Sequence, residues 1–394
     1  MAVTEKAVTE ALNAPRRRIL RELAFLYARL GITAFGGPAA HVAMMQDEVV
    51  HRRRWLTQEQ FLDFLGVVNL IPGPNSTEMA IQIGYRVAGW PGLLIGGICF
   101  ILPAALLTLF LAWLYVRYGT LPQAAGVLYG VKAVMVAVVL QAIWSLSHTA
   151  VKGRLLAVIG ALAIFANAFG ANVLLVLFGA GIVALAAGKA AGKSLRSKVS
   201  ALLVPQAPLI FSTGGLAAAP FGLLPLFMFF LKVGAVLFGS GYVLLAFLRT
   251  DLVVRLHWLT DKQLLDAIAV GQVTPGPVFT TATFIGYLLG RGPGAVVATV
   301  GIFLPSFVFI AVIGPLVPRL RKSVFFGAFL DGVNVGALAL MVVVTWYLGR
   351  AAIIDVITGA LALVSLIVLI RFKINTTWLI LAGGLLGILV FRSS

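Results

Sequence analysis

The stretch Asn69-Leu70-Ile71-Pro72-Gly73-Pro74-Asn75-Ser76-Thr77 returns 203 residues later as Gln272-Val273-Thr274-Pro275-Gly276-Pro277. The same shift pairs Phe35-Gly36 with Phe238-Gly239. After one residue is lost, a shift of 202 aligns further pairs, among them Ile83-Gly84-Tyr85 with Ile285-Gly286-Tyr287 and Gly130-Val131 with Gly332-Val333. A register kept over roughly a hundred residues predicts one structural unit that is used twice.

The composition places this unit in a membrane. Of 394 residues, 61% are hydrophobic and 11% are charged, a balance that no water-soluble domain of this length keeps in solution. Apolar runs near the roughly 20 residues that cross a bilayer recur along the chain, and their backbone groups must be satisfied within the segment. The sequence therefore predicts an all-α polytopic membrane protein with about 10–12 transmembrane or re-entrant helices.

The basic charge is explained by membrane orientation. The net charge is +17, and the basic residues fall in short loops, so neither nucleic acid nor nucleotide is an expected partner. A loose phosphate-loop pattern at 187–194 follows an apolar span and not a strand. Arg16, Arg17, Arg18 and Arg21 precede the first span without a cleavage pattern, which indicates a cytosolic tail and the cytoplasmic (inner) membrane.

The repeats are predicted to occupy residues 1–188 and 222–394, joined by a basic, proline-containing linker at 189–221. The positive-inside bias favours repeats of opposite orientation, because one group of second-repeat residues would then lie inside. These residues are Arg319, Arg321, Lys322, Arg371 and Lys373. Inverted repeats are typical of secondary transporters, although duplicated helical bundles also occur in membrane proteins that transport nothing.

The glycine motifs predict helix breaks. Pro-Gly-Pro cannot continue a helix, and a break at membrane depth is tolerated where protein or a watery cavity satisfies the backbone. Each half-helix that begins after a break favours an anion at its N-terminus. The alternative is a tight loop at the membrane surface. The candidate substrate-binding residues at the breaks are Phe35, Gly36, Gly37, Pro38, Asn69, Pro72, Gly73, Pro74, Asn75, Ser76, Thr77, Phe238, Gly239, Ser240, Gly241, Pro275, Gly276 and Pro277.

Ionisable residues inside spans are functional hypotheses. Arg29 and its equivalent Lys232, together with Lys132, are predicted to offset the charge of the anion; Asn334 occupies the position of Lys132 in the second repeat. Lys132 has an alternative role, in which its long stem reaches the headgroups. The candidates for proton coupling are Glu48, Glu78 and Asp251, and the equivalent residues Asp63 and Asp266 could share this role, although helix-end charge is a simpler role for such acids.

Several motifs together resemble the chromate ion transporter family in its long, two-domain form. They are Phe-Gly-Gly-Pro at 35–38, Arg-Arg-Arg-Trp-Leu at 52–56, the stretch 69–78, Gly-Trp-Pro-Gly at 89–92 and Gly-Val-Lys-Ala at 130–133. The resemblance implies export of chromate from the cytoplasm, driven by the membrane potential or the proton gradient, and resistance to chromate. Ser240 replaces the glycine that is usual in the family.

Two alternatives stay open at this point. Sulfate or another oxyanion resembles chromate in shape and charge. A membrane-embedded enzyme would need a cluster of acids, histidines or metal ligands, whereas the chain has 4 His and 1 Cys. We therefore expect no enzyme activity, no metal and no cofactor; the expected partners are a small inorganic oxyanion and the lipid bilayer, and a homodimer is compatible with this prediction.

Overall fold

The computed structural model describes residues 15–35, 37–119, 122–191, 221–238, 243–313, 324–372, 374 and 376–393. Within these ranges every regular element is a helix. Gly36, Gly239, Ser240 and Gly241 lie outside the described residues, as do 192–220 of the predicted linker and the predicted inside charges Arg319, Arg321, Lys322 and Lys373.

The two repeats contain the same elements in the same order. The first repeat forms α1 (Arg16–Thr33), α2 (Gly37–Gln46), α3 (Gln58–Val68), α4 (Asn75–Tyr118), α5 (Pro122–Ala150), α6 (Arg154–Ala168) and α7 (Val173–Ala191). The second forms α8 (Leu223–Val236), α9 (Leu244–Leu248), α10 (Asp261–Val273), α11 (Thr281–Ile313), α12 (Val324–Ala352), α13 (Val356–Phe372) and α14 (Thr376–Ser393). A π-helical turn extends α2 at Asp47–Arg52 and α9 at Arg249–Arg255.

The repeated Trp-Leu-Thr element starts α3 and α10 in the same way. Thr57 Oγ1 accepts a hydrogen bond from the Gln60 amide (3.2 Å), and Gln60 Oε1 accepts one from the Thr57 amide (3.2 Å). Thr260 and Gln263 form the equivalent reciprocal pair at 3.2 and 3.0 Å. This capping box satisfies two amides that a helix start leaves unpaired, so both helices begin at defined residues.

Helix α4 is a tight hairpin. Ala88 and Gly89 leave the helical conformation, and Gly89 has a φ of 66°. The arms pack with almost no side chain between them, since a Cβ on Gly84 would lie 2.1 Å from the Gly92 carbonyl oxygen. We call the arms α4a (75–87) and α4b (90–118). Helix α11 is broken in the same place, at Gly290 and Arg291, into α11a (281–289) and α11b (292–313).

By length and composition, four helical stretches among the described residues could cross a membrane, two of which are the hairpins α4 and α11. They are Asn75–Tyr118, Ala125–Ala150, Val278–Val312 and Gly327–Ala352. Five shorter apolar helices accompany them. The chain is therefore a multi-pass membrane protein.

The equivalent helices α5 and α12 run antiparallel, so the repeats are inverted as predicted. Near the end of α5, Lys152 Nζ lies 2.6 Å from Asp331 Oδ1, close to the start of α12. Near the start of α5, the Tyr129 hydroxyl donates to Asp355 Oδ2 (2.6 Å), just beyond the end of α12. Because these two equivalent helices run in opposite directions, the repeats that contain them have opposite orientations.

The repeats exchange helices and form two bundles. Helices α1–α4 and α8–α11 form the broken-helix bundle, in which α4 packs against α11. Helices α5–α7 and α12–α14 form the long-helix bundle, in which α5 packs against α13 and α14 while α12 packs against α6 and α7. Small residues allow this approach, because a Cβ on Gly130 would lie 1.8 Å from the Gly383 carbonyl oxygen. Each bundle therefore contains both repeats.

Candidate functional site

The two Pro-Gly-Pro loops are each anchored on the opposite repeat. The Gly73 amide donates to the Leu237 carbonyl (2.8 Å), and the Gly276 amide donates to the Ala34 carbonyl (2.9 Å). Ala34 and Leu237 end α1 and α8, directly before the Phe-Gly motifs. The C-terminal ends of α1 and α8 and the loops before α4 and α11 therefore meet at the interface between the repeats.

This anchoring narrows the set of groups that can bind an anion. Since the amides of Gly73 and Gly276 already have acceptors, the donors left at the breaks are side chains and the first amides of the following half-helices. Helix α4 begins at Asn75, and the amides of Thr77 and Glu78 bond back to the Pro74 carbonyl at 2.8 and 3.0 Å. The N-terminus of the half-helix α4a is thus formed as predicted. The amide of Gly73, just before it, is already bonded to the Leu237 carbonyl.

The remaining motif residues surround the breaks. Asn75 Nδ2 donates to Asn69 Oδ1 (2.7 Å), a bond that ties the two sides of the first break together. Gly37 has a φ of 80° where α2 begins. Ser76 and Thr77 are buried; Phe35, Pro38, Pro72 and Phe238 are partly buried; Pro74, Pro275 and Pro277 are buried.

Glu78 is a buried carboxyl group against the first loop. Its side chain has no exposed surface, and its carboxyl group interacts with the Ser306 side chain. A Cβ on Gly73 would lie 2.2 Å from Glu78 Oε1 and 2.8 Å from Ser306 Oγ, so the carboxyl group lies between the loop and α11b. Thr77 Oγ1 and Gln82 Oε1 are also buried, and neither has a hydrogen bond in the part of the chain described. This group of polar atoms we call the Glu78 cluster.

The second break is less polar. There Thr108 Oγ1 donates to Thr280 Oγ1 (3.2 Å), and Thr280 Oγ1 donates to the Pro277 carbonyl (2.9 Å). A Cβ on Gly276 would meet Ala104, which stands where Ser306 stands in the other repeat. The fold is therefore symmetric at the two breaks, whereas the polar chemistry is not.

The predicted cations Arg29 and Lys232 are paired with carboxylates. Arg29 contacts Glu48, which also contacts Arg53 and lies 3.3 Å from Arg52. Lys232 Nζ lies 2.8 Å from Asp251 Oδ2. Both carboxylates lie in the π-helical turns after α2 and α9. Residues that the sequence assigned to two roles, charge compensation and proton coupling, thus form equivalent ion pairs.

Lys132 is largely buried and forms an ion pair that joins the two bundles. Its Nζ lies 2.6 Å from Asp266 Oδ1, and the Tyr115 hydroxyl donates to Asp266 Oδ2 (2.7 Å). The side chains of Lys132 and Asp266 are 12% and 0% exposed, so the ammonium group does not extend to the headgroups in this arrangement. Asn334, its repeat equivalent, is partly buried on α12. The repetition of Asp63 as Asp266 marked Asp266 as a candidate for proton coupling, but its pairing with Lys132 was not predicted from the sequence.

Within the described residues, no group of three or more His, Cys, Asp or Glu side chains could hold a metal ion. Inverted repeats with broken helices that meet at their interface define a polytopic membrane protein of the inverted-repeat transporter type. The sequence profile of the chromate transporter family matches the chain twice, over residues 21–185 and 224–388. The chain therefore belongs to the chromate transporter family.

The chain is also similar to curated proteins along nearly its whole length. It is 34% identical to the chromate transport protein of Cupriavidus metallidurans, over 94% of this chain and 93% of the relative. It is 32% identical to the chromate transport protein of Pseudomonas aeruginosa, over 98% and 95%. It is 30% identical to a probable chromate transport protein of Synechococcus elongatus, over 88% and 89%. No solved structure matches the chain.

Proposed function

We propose that this chain is a secondary active transporter that exports chromate from the cytoplasm across the inner membrane and so confers chromate resistance. The observation that carries the proposal is the reciprocal anchoring of Gly73 on Leu237 and of Gly276 on Ala34. It holds half-helix ends at the interface of inverted repeats, where such transporters bind their substrate. Family membership and the names of the relatives support chromate as that substrate.

A dianion needs compensation at membrane depth, because an isolated charge there is costly. The first break offers the N-terminus of α4a, whose dipole favours an anion, and the buried hydroxyl group of Thr77, which has no hydrogen bond within the described residues. The buried Ser306 hydroxyl lies beside Glu78 at the same break. The second break offers Thr280, already bonded to Thr108. We therefore place most of the substrate contacts at the first break.

Glu78 is the proton-linked group in this proposal. Glu48 and Asp251 have cationic partners, whereas the buried Glu78 has none among the described residues. An ionised Glu78 would repel a dianion at the same break, and a protonated Glu78 would donate a hydrogen bond to it. Substrate and proton therefore bind together at the Glu78 cluster.

The test is chromate flux into proteoliposomes that contain the purified chain, under an imposed membrane potential. We expect saturable uptake that follows the potential and exceeds that of protein-free liposomes. Expression in a chromate-sensitive bacterium tests the direction, since an exporter lowers cellular chromate and raises the tolerated concentration. More chromate in cells that express the chain would contradict export.

Sulfate is the alternative substrate of the same class, because it shares the tetrahedral shape and double charge of chromate. A chromate-specific site predicts weak inhibition of chromate flux by excess sulfate and little direct flux of labelled sulfate. Strong inhibition together with equal sulfate flux would replace chromate with a general oxyanion as the substrate.

A further inference from the structure

The two bundles contact each other through the second repeat. Helix α10 packs against α5, α12 and α14, and α9 packs against α12. The equivalent helix α3 has its main contact with α4, inside its own bundle. The buried apolar cluster around α1–α4 contains no described residue of the long-helix bundle, whereas the cluster around α8–α11 is continuous with that bundle.

Equivalent residues on α3 and α10 show the same asymmetry in exposure. Leu62 is 50% exposed and its equivalent Leu265 is 4% exposed. Asp63 is exposed, and its equivalent Asp266 is fully buried. Since the sequences of the two helices are related, the difference comes from what covers them.

Polar and apolar contacts close the α10 side. Asp266 binds Lys132 and Tyr115, and the Arg249 guanidinium lies 4.0 Å from the ring centre of Tyr347 on α12. Leu265 and Ile268 lie against α5 and α12 around a void of only about 10 Å³. Lys132, Asp266 and Tyr115 together we call the α10 lock.

The first repeat does not encode the same contacts. Asn334 replaces Lys132, so Asp63 would meet an amide where Asp266 meets an ammonium group. Gln46 and Ser145 replace Arg249 and Tyr347, a pair that can form no cation–π contact. Closure along α3 would therefore lack the charged contacts that close α10.

Two equivalent clefts differ in volume, and the larger one lies in the first repeat. A cleft of about 520 Å³ lies between α1 and α2, beside Arg29, Thr33 and Glu48. Its equivalent beside Lys232 and Asp251 measures about 20 Å³, because the start of α7, at Asn172–Leu174, covers it. The first repeat is thus open where the second is closed.

We propose that the structure is one end state of an alternating-access cycle, with the passage open along α3 and held shut along α10 by the α10 lock. In the opposite state α3 closes on the long-helix bundle, α10 leaves it, and Lys132 loses Asp266. Asp266 and Tyr115 are positioning residues that hold the Lys132 ammonium away from the passage. The proposal rests on the transport function proposed above and assigns the route by which the substrate enters.

Cysteine labelling tests the asymmetry on the whole chain. In a Cys99→Ala background, Leu62→Cys and Leu265→Cys are matched probes for a hydrophilic maleimide applied to purified protein. We expect Leu62→Cys to react about tenfold faster or more, as for a closed form populated about ten to one. Equal rates would overturn the proposal.

The lock itself is tested by Lys132→Met, which keeps the stem and removes the charge. We expect faster labelling at Leu265→Cys and slower labelling at Leu62→Cys, since α10 opens while α3 closes. The charge-reversed pair Lys132→Asp with Asp266→Lys should restore the original ratio. An unchanged ratio in Lys132→Met, or faster labelling at both probes, would overturn the role of the lock.

Labelling and flux separate the two proposals. Absence of chromate flux with the labelling asymmetry intact would refute the substrate and leave the gate standing. Chromate flux with equal labelling at both probes would refute the gate and leave the substrate standing.

Discussion

The amide of Gly73 donates to the carbonyl of Leu237 at 2.8 Å, across the boundary between the repeats. The equivalent bond, in which the Gly276 amide donates to the Ala34 carbonyl, measures 2.9 Å. Each Pro-Gly-Pro loop is therefore completed by the helix end of the other repeat. A change at one loop acts on both repeats, because the same bond also satisfies the carbonyl at the end of α1 or α8.

Gly73→Ala should destabilise the protein by about 1–3 kcal/mol and sharply lower chromate flux. Gly73 has a φ of 141°, and an added Cβ would lie 2.2 Å from Glu78 Oε1. Thermal unfolding in detergent and flux in proteoliposomes measure the two effects. Gly327→Ala on α12 is the control, because a Cβ there meets nothing within 4 Å. Equal unfolding temperatures and equal chromate flux in the two variants would show that Gly73 tolerates a side chain, which would contradict the prediction.

Glu78→Gln should uncouple chromate flux from pH. If the substrate binds together with a proton on Glu78, flux through the natural chain falls as pH rises, while the amide stays neutral and keeps its flux. The measurement is initial chromate flux across a pH series at a fixed membrane potential. Glu59→Gln, at an exposed carboxyl group on α3, is the control and should keep the natural pH profile. A Glu78→Gln profile that still falls with pH would move the coupling elsewhere.

The ion pairs of the π-helical turns should differ in their sensitivity to loss of the cation. Lys232→Ala leaves Asp251 with Arg255 at 3.5 Å, and we expect a loss of about 2–3 kcal/mol in the free energy of unfolding. Arg29→Ala leaves Glu48 with Arg52 and Arg53, so the loss should be about 1 kcal/mol. Thermal unfolding of both variants decides this order. The reverse order would contradict the assigned partners.

Arg291→Gly should stabilise the protein by about 1 kcal/mol. Arg291 has φ 53° and ψ −145°, a conformation that favours glycine, and its repeat equivalent Gly89 has φ 66° and ψ −148°. The reciprocal variant Gly89→Ala should lower the unfolding temperature. An unfolding temperature that drops in Arg291→Gly would mean that the contact of Arg291 with Tyr287 matters more than the backbone.

Much of the fold could be predicted because duplication is visible in sequence. The Pro-Gly-Pro register located both breaks, and the distribution of basic residues favoured inversion, which the antiparallel α5 and α12 confirm. The spacing of Gly92 and Gly96 is typical of close helix packing, and a Cβ on Gly96 would lie 2.5 Å from the Ala80 carbonyl oxygen. Each of these features can be recognised from short motifs or from the distribution of charge along the chain.

The candidate site could be predicted only in part, since the partner of a buried charge depends on which distant helices meet. Lys132 and Asp266 are 134 positions apart, and only the packing of α10 on α5 brings them together. The exchange of helices between repeats has no local pattern either. For this reason the sequence indicated free cations for the anion, where the structure has ion pairs.

The most direct test of the central claim is chromate flux through the purified chain in proteoliposomes under an imposed membrane potential. The proposed function predicts saturable uptake that reverses with the sign of the potential and is sharply reduced by Gly73→Ala. Uptake no greater than in protein-free liposomes, with correctly folded protein present, would contradict it.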